Sequence, residues 1–250
     1  MTGTARTGIV TYIVNLDRDK ERLANLLALL KDEPILDIRR VAAVEGRQLP
    51  ELVRRKISGH PAWADKYVEI GCFLSHVKLW EMIARQTDEF SLVLEDDATP
   101  RGLRRLATME RPADADLVFV NDRMCEGGRG DPVTTDLRCV PFLRGLEKLN
   151  RTRRGAGTDG YILTPAGAAK LLEAVNTDLC FGNIDGRLLR YCADREELDA
   201  NFPDSFISKV IHDHHNPAIS PRWSVIKGYC LNTPLILHGA FESTRTSQAV

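Results

Sequence analysis

The stretch Phe90–Pro100, FSLVLEDDATP, decides how the rest of the chain is read. Its mostly apolar run, interrupted by Ser91, ends in the carboxylates Glu95, Asp96 and Asp97. An apolar run of this length bounded by a turn signal predicts a buried central strand, which Pro100 ends. Acidic residues at the carboxyl end of such a strand lie where open α/β sheets keep their ligands. Glu95 and Asp97 are two residues apart, so on an extended chain they point the same way, roughly 7 Å apart at the backbone. Two carboxylates so placed suit one hard cation, and a cation relieves the repulsion of adjacent anions. A solvated acidic turn has the same composition, so the reading needs support from the rest of the chain.

Upstream, Ile9 to Leu16 (IVTYIVNL) predicts a first parallel strand. Asp17 then caps a helix to about Leu30, with Leu23, Leu26, Leu27 and Leu30 at helical spacing. Asn15, Arg18 and Arg22 fall at the strand-to-helix turn, a place to meet a nucleotide. Asn can bond a base and Arg can fork onto phosphate. Ordinary pairing on a surface helix accounts equally well for Arg22 beside Glu21. Ile38 to Val44 predicts a second strand ending in Glu45-Gly46, with Glu45 either on a ribose hydroxyl or in an exposed turn. Residues 47 to 68 read as a loop with a short helix. Glu69 to Arg85 predicts a helix buried nearly all round. It carries Ser75, His76 and Lys78, and His76 is either a substrate contact or a satisfied core histidine.

Downstream, Leu103 to Met109 is a short helix and Asp116 to Val120 a core strand ending at Asn121-Asp122. Met124 to Gly157 has few apolar runs and reads as a mobile segment or lid. Its Arg151, Arg153 and Arg154 either close over phosphate or form a solvated run. Thr158 to Leu163 is a strand. Thr164-Pro165 then starts a helix to about Val175. Ile184 to Tyr191 is a helix with Asp185 in its first turn. The tail holds His212, Asp213, His214 and His215, then a strand Leu235 to Leu237 ending in His238. HDHH invites a transition metal, but adjacent histidines rarely all face one ion. The sequence has no internal repeat and no phosphate loop of the GxGxxG or GxxxxGK type.

Composition bounds the function. The chain has 250 residues, 43% hydrophobic and 28% charged, which suits one globular domain over 1–250. We read a nucleotide- and metal-binding half, 1–122, and a mobile loop plus acceptor-side half, 123–250. A net charge of −1 implies no nucleic-acid partner. The cysteines are scattered without a CxxC, which points to a reducing compartment. The start, MTGTARTG, is too short and polar for a signal peptide. No run reaches the roughly 18 apolar residues of a membrane helix. These features predict a cytoplasmic protein and leave a peripheral membrane contact open.

Several stretches together resemble glycosyltransferase family 25, which includes bacterial lipooligosaccharide galactosyltransferases and collagen galactosyltransferases. They are YIVNLDRDKERL (12–23), RRVAAVEGRQL (39–49), EIGCFLSHVKLW (69–80), LVLEDDA (92–98), DLVFVNDRM (116–124), GTDGYILTPAGAAKLL (157–172) and IDGRLLRYC (184–192). The resemblance implies a GT-A-like fold, a Rossmann-type mixed, mainly parallel sheet flanked by helices. It implies a UDP-sugar donor, a Mn²⁺ or Mg²⁺ ion on a DxD-type motif, and inversion at the anomeric carbon. Glu95 and Asp97 would be the metal pair. Asn15, Arg18, Glu45, Ser75, His76, Asp96, Asp159 and His238 would line the nucleotide-sugar site. Asp185 stands where the family keeps an acidic residue near the acceptor. Gly186 and Arg187 depart from the bulky neighbours usual there, which suggests a different acceptor.

The chemistry fits these residues. A metal held by carboxylates neutralises charge developing on a diphosphate leaving group. The acceptor hydroxyl must lose a proton, and inversion puts the base on the opposite face from the leaving group. A separate acid is therefore needed: Asp185 first, then Asp122 and Asp159. The sugar is galactose or another hexose, and the acceptor a glycan, peptide or small molecule. Two other readings stand beside this one. One is a metal-dependent phosphoester hydrolase using Glu95, Asp97 and HDHH. The other is a relative that binds nucleotide-sugar without turnover.

Overall fold

The computed structural model describes residues 8–59, 61–132, 134, 136–178, 183–213 and 222–239. The strands are β1 (Ile9–Asn15), β2 (Leu36–Ala42), β3 (Ser91–Glu95), β4 (Ala98–Pro100), β5 (Leu117–Phe119), β6 (Cys139–Pro141), β7 (Gly160–Leu163), β8 (Gly228–Leu231) and β9 (Ile236–His238). The helices are α1 (Lys20–Leu30), α2 (Glu51–Ser58), α3 (Pro61–Ala64), α4 (Tyr67–Ile83), α5 (Phe142–Thr152), α6 (Pro165–Asp178), α7 (Ile184–Cys192), α8 (Arg195–Asn201) and α9 (Phe206–Asp213).

Seven strands form one sheet in the order β2-β1-β3-β7-β5-β8-β6, and β4 and β9 form a small second sheet. β1 pairs in parallel with β2 on one side and β3 on the other. β5 and β8 are also parallel, while β7 runs antiparallel to both β3 and β5, and β6 antiparallel to β8. The expected mixed α/β sheet with flanking helices is present, its parallel pairing gathered at β2-β1-β3 and β5-β8. β7, from the second half of the chain, sits between β3 and β5 of the first, so one sheet runs through both halves.

The strand residues alternate between two buried layers. On β3, Val93 joins Tyr12, Trp80, Phe119 and Tyr161 on one face, while Leu92 and Leu94 join Ile13, Val118 and Ile162 on the other. Helices cover both faces, so β3 reads as continuous apolar sequence rather than as alternation. The predicted central strand is therefore central, and its acidic end opens beside the crossover from β1. Neighbouring parallel strands that leave β1 in opposite directions create a crevice at their carboxyl ends.

Two close approaches hold the walls of that crevice. A Cβ on Gly46 would lie 1.8 Å from the Tyr67 carbonyl oxygen, and one on Gly71 2.6 Å from that of Val44. The loop after β2 thus rests directly on α4, and only glycine lets the two backbones meet. Ser75 fastens the same contact, accepting from the Val44 N–H at 2.8 Å and donating to the Gly71 carbonyl at 2.7 Å.

Several expectations need correction. α1 begins at Lys20, and the Asp17 carboxylate pairs with Arg40 instead of capping it. Residues 47 to 68 are mainly helical, in α2 and α3. The segment 124–157 is not structureless, because it contains β6 and α5. Phe142, Leu146 and Leu149 recur at helical spacing and bury one face of α5. Arg144, Glu147 and Lys148 between them hide that stripe in the sequence. Lys148 on the same helix is buried, its Nζ donating to the Cys125 carbonyl at 2.7 Å. The Thr164 cap is as expected, its Oγ1 accepting from the Gly167 N–H at 3.0 Å. Among the described residues no cysteine is in a disulfide, and no helix is long and apolar enough to cross a membrane.

Candidate active site

A cleft of about 260 Å³ opens at the carboxyl ends of β1 and β3. It gathers Asn15, Arg18, Glu45, Ser75, His76, Glu95, Asp96, Asp97, Asp185 and His238, residues spread over most of the sequence. The topology explains the convergence. β1 pairs Val14 with Glu95, which brings Asn15 to the acidic turn. β7 pairs Gly160 with Leu94, which puts Thr158 and Asp159 beside Glu95. β9 pairs His238 with Ala98, the residue after Asp97. α7 then delivers Asp185 from the far side.

The three carboxylates have three different environments. Glu95 accepts from the Thr158 hydroxyl, and its Oε1 is 3.4 Å from His76 Nε2. Burial pushes its carboxyl up, but His76, Thr158 and the Arg123 charge outweigh that and hold it at about 2. Asp96 is committed to the protein. Its Oδ2 accepts from Asn15 Nδ2 at 2.7 Å and its Oδ1 pairs with Arg22 at 2.7 Å. Burial still raises its carboxyl above the usual range, against the pull of Asn15 and Arg22. Asp97 meets the same guanidinium at 2.9 Å, while its Oδ1 is buried with no hydrogen-bond partner. Burial first, then the Glu95 charge, lifts the Asp97 carboxyl to about 6.

Behind the cleft lies a second polar group. Asp159 is buried and does not line the opening. Its Oδ1 pairs with Arg123 at 2.6 Å, and its Oδ2 lies 3.4 Å from His238 Nδ1. The Asp159 carboxylate raises the His238 imidazole above its ordinary value. His238 is also held by its backbone N–H, which donates to Asp122 at 3.0 Å. Asp122 and Asp159 therefore hold His238 and Arg123. Asp185, unlike Asp122 and Asp159, lines the cleft itself.

His76 is fully buried, with its ring between Tyr161 and Glu95. The Tyr161 hydroxyl accepts from Trp80 Nε1 at 3.1 Å and meets His76 Nδ1 at 2.8 Å. Nε2 is the ring nitrogen that faces Glu95. Cys72, His76 and Glu95 place ligand atoms within 4.8 Å of one another. His76 serves Glu95 in this arrangement.

Some expected roles shift. Asn15 is spent on Asp96, the Asp19 carbonyl and Arg40, so it positions the acidic turn and does not reach toward a base. Ser75 is spent on backbone. Arg18 and Glu45 pair with each other at the rim. Arg187 is buried on the side of α7 away from the cleft, 3.8 Å from Asp178 and 6.0 Å from the Phe73 ring centre. Arg187 therefore does not border the cleft, and of the two departures Gly186 is the one beside Asp185. His212 meets Asp199 at 3.1 Å and packs on Trp223, outside the cleft. His214 and His215 lie outside the described residues. Sequence reading missed Thr158, Arg123 and Arg40, and left Arg22 undecided. Their partners are distant in sequence, so no local signal marks them.

Comparison with known proteins bears on this cleft. Residues 9–105 match the model of Glycosyltransferase family 25 (LPS biosynthesis protein), a span holding β1 through the acidic turn. The expected family is the one that matches. A Glycosyltransferase 25 family member of Aedes aegypti is 36% identical over 177 residues, covering 65% of this chain and 27% of that protein. Procollagen galactosyltransferase 2 of Homo sapiens is 27% identical over 179 residues, with 65% and 27% covered. The chain thus spans about a quarter of the length of these family 25 relatives, whose names are those of glycosyltransferases. The glycosyltransferase GlyE of Streptococcus pneumoniae TIGR4 aligns with a TM-score of 0.40 at 11% identity, over 97% of this chain and 57% of that one.

Proposed function

We propose that this chain is a metal-dependent, inverting glycosyltransferase of the GT-A type that moves a hexose from a UDP-sugar to an acceptor hydroxyl. The observation that carries the reading is the separation of carboxylates in one cleft. Glu95 and Asp97 sit together at the end of β3, and Asp185 faces them from α7. A family 25 match over the acidic turn and relatives named as galactosyltransferases support it.

The residues fit a divalent cation. Asp97 keeps a buried oxygen without a partner, and burial first, then the Glu95 charge, lifts its carboxyl to about 6, so a cation there would favour its ionised form. Hard carboxylate oxygens suit Mn²⁺ or Mg²⁺, which take their remaining ligands from water and phosphate. Glu95 and Asp97 would hold the ion, which when bound neutralises charge on the diphosphate. Arg18 and Arg22 supply further positive charge at the same mouth. Asp185 takes the proton of the attacking hydroxyl. Glu45 and His238 border the space left for ribose and sugar.

A hydrolase built on HDHH finds no support in the position of His212, which meets Asp199 away from the cleft. The deciding experiment is a donor screen: nucleotide-sugars with Mn²⁺, read by release of nucleoside diphosphate. Release from a UDP-hexose that rises when glycan or peptide acceptors are added supports transfer. Release that ignores acceptors points to hydrolysis, and binding without release to a non-catalytic relative.

A further inference from the structure

Cys72 and His76 stand four residues apart on α4, so the helix puts both on one face. Both line the cleft, where Glu95 meets them from the end of β3. A sulfur, a ring nitrogen and a carboxylate oxygen thus lie within 4.8 Å of one another. His76 is fully buried, and its Nε2, on the Glu95 side of the ring, has no hydrogen-bond partner. A buried ring nitrogen without a partner is costly, and a cation would satisfy it.

We propose that Cys72, His76 and Glu95 form a site for a thiophilic divalent cation of the Zn²⁺ class, its fourth position open to the cleft, and that an ion there takes Glu95 from the donor metal. The second clause rests on reading Glu95 and Asp97 as ligands of Mn²⁺ or Mg²⁺. The site itself does not. An ion held this way acts as an inhibitor, because Asp97 alone is left for the donor metal.

The donor set selects the ion. Thiolate and imidazole favour Zn²⁺ or Co²⁺, whereas Mn²⁺ and Mg²⁺ prefer oxygen. The dimensions agree. Nitrogen and oxygen ligands about 2.1 Å from a tetrahedral ion are about 3.4 Å apart, and His76 Nε2 lies 3.4 Å from Glu95 Oε1. The longer zinc–sulfur bond sets the sulfur edges at about 3.6 Å, so a modest turn about Cys72 χ1 brings its thiol in. On binding, the S–H bond gives way to a sulfur–metal bond and the proton goes to solvent. Nε2 gives its lone pair to the ion, which keeps the ring proton on Nδ1, 2.8 Å from the Tyr161 oxygen. A ligating histidine ordinarily has such an outer partner. The frame is firm as well. Gly71 and Ser75, the residues before Cys72 and His76, fasten α4 to the loop after β2.

The test uses Co²⁺, a spectroscopic stand-in for Zn²⁺, on the whole reduced protein. Stoichiometric Co²⁺ should give a thiolate-to-cobalt charge-transfer band and the strong visible bands of a tetrahedral ion, all bleached by Zn²⁺. Cys72→Ser should lose the charge-transfer band and bind Zn²⁺ at least about tenfold more weakly, since even an outer partner is worth that much. Cys72→Ala serves if the serine variant folds poorly. No such band in the wild type, or a band that survives in the Cys72 variants, overturns the site. Manganese tests the shared ligand separately, with UDP present. Zn²⁺ should free bound Mn²⁺, read by electron paramagnetic resonance, and Cys72→Ser should need about tenfold more Zn²⁺ to do so. Mn²⁺ that stays bound while the cobalt band forms overturns the second clause. Mn²⁺ that never binds sinks the donor-metal reading, and the cobalt band still decides the thiolate site.

Discussion

Arg22 donates to Asp97 at 2.9 Å, and the same guanidinium nitrogen meets Asp96 at 2.7 Å. The arginine thus stands where a divalent cation on Asp97 would concentrate its charge. A cation arriving there must displace or repel it. At an effective dielectric of about 20, two unit charges 4 Å apart cost about 4 kcal/mol, enough to matter for affinity. Arg22→Gln should bind Mn²⁺ about tenfold or more tightly in the absence of nucleotide. The same change should weaken UDP binding once Mn²⁺ is present, because a phosphate partner is lost. Electron paramagnetic resonance titration of free Mn²⁺ reads the first effect and calorimetry the second. Unchanged Mn²⁺ affinity would remove Arg22 from the site.

The raised Asp97 carboxyl gives a stability prediction with a definite sign. Its ordinary value is 3.8 and its folded value is about 6, so folding favours the protonated form. That contribution is complete below the unfolded value and is lost as pH rises through about 6. Above that pH the ionised group costs the metal-free protein on the order of 1–3 kcal/mol. Asp97→Asn should therefore stabilise the metal-free protein at about pH 8 by that amount and leave it little changed at about pH 4. Urea denaturation at the two pH values measures it. The same substitution should abolish metal-dependent UDP affinity. A variant no more stable than wild type at the higher pH would show that Asp97 ionises without penalty.

The sheet and the acidic turn were legible because local chemistry writes them. An apolar run bounded by EDD and Pro100 predicts a buried strand meeting a polar opening, and β3 is that strand. Thr164-Pro165 announced its helix for the same reason. The site beyond the turn was legible mainly as a family pattern. Nothing in TDG tells that Thr158 will touch Glu95, because that contact is made by antiparallel pairing of β3 and β7. Arg123 likewise acquires its meaning from Asp159, 36 positions away. α5 was missed because its apolar stripe is broken by arginines and lysine, and only packing selects the buried face. Amide exchange should accordingly find the α5 amides protected in the ligand-free protein. Fast exchange across residues 142 to 152 would restore the reading of that stretch as a lid.

Gly46 tests the contact between the cleft wall and α4. A Cβ there would sit 1.8 Å from the Tyr67 carbonyl oxygen, a backbone atom that no rotamer change can move. Gly46→Ala should cost several kcal/mol or prevent folding, as overpacking against backbone does at the severe end. Thermal melting reads it. A variant that melts within a few degrees of wild type would mean that the loop carrying Glu45 moves freely relative to α4.

Asp185→Asn separates chemistry from binding and from helix stability. The substitution is close to isosteric. Asn183 already caps α7 through the Gly186 N–H, so at the helix end removing the Asp185 charge forfeits a dipole interaction of about 0.3–1 kcal/mol, and asparagine keeps an oxygen that can accept from Thr158. Melting should therefore shift little. UDP and Mn²⁺ affinity should stay near wild type, because Glu95, Asp97 and the arginines remain. What disappears is the proton acceptor, typically worth about 10² to 10⁴ in rate. Sugar transfer, or slow consumption of UDP-sugar by water, should fall at least about a hundredfold. The reserves offer no rescue, since Asp122 accepts from the His238 N–H and Asp159 is tied to Arg123. Normal melting, normal nucleotide affinity and lost turnover together would identify a base. Lost melting with retained turnover would identify a merely structural acid and end the assignment of Asp185.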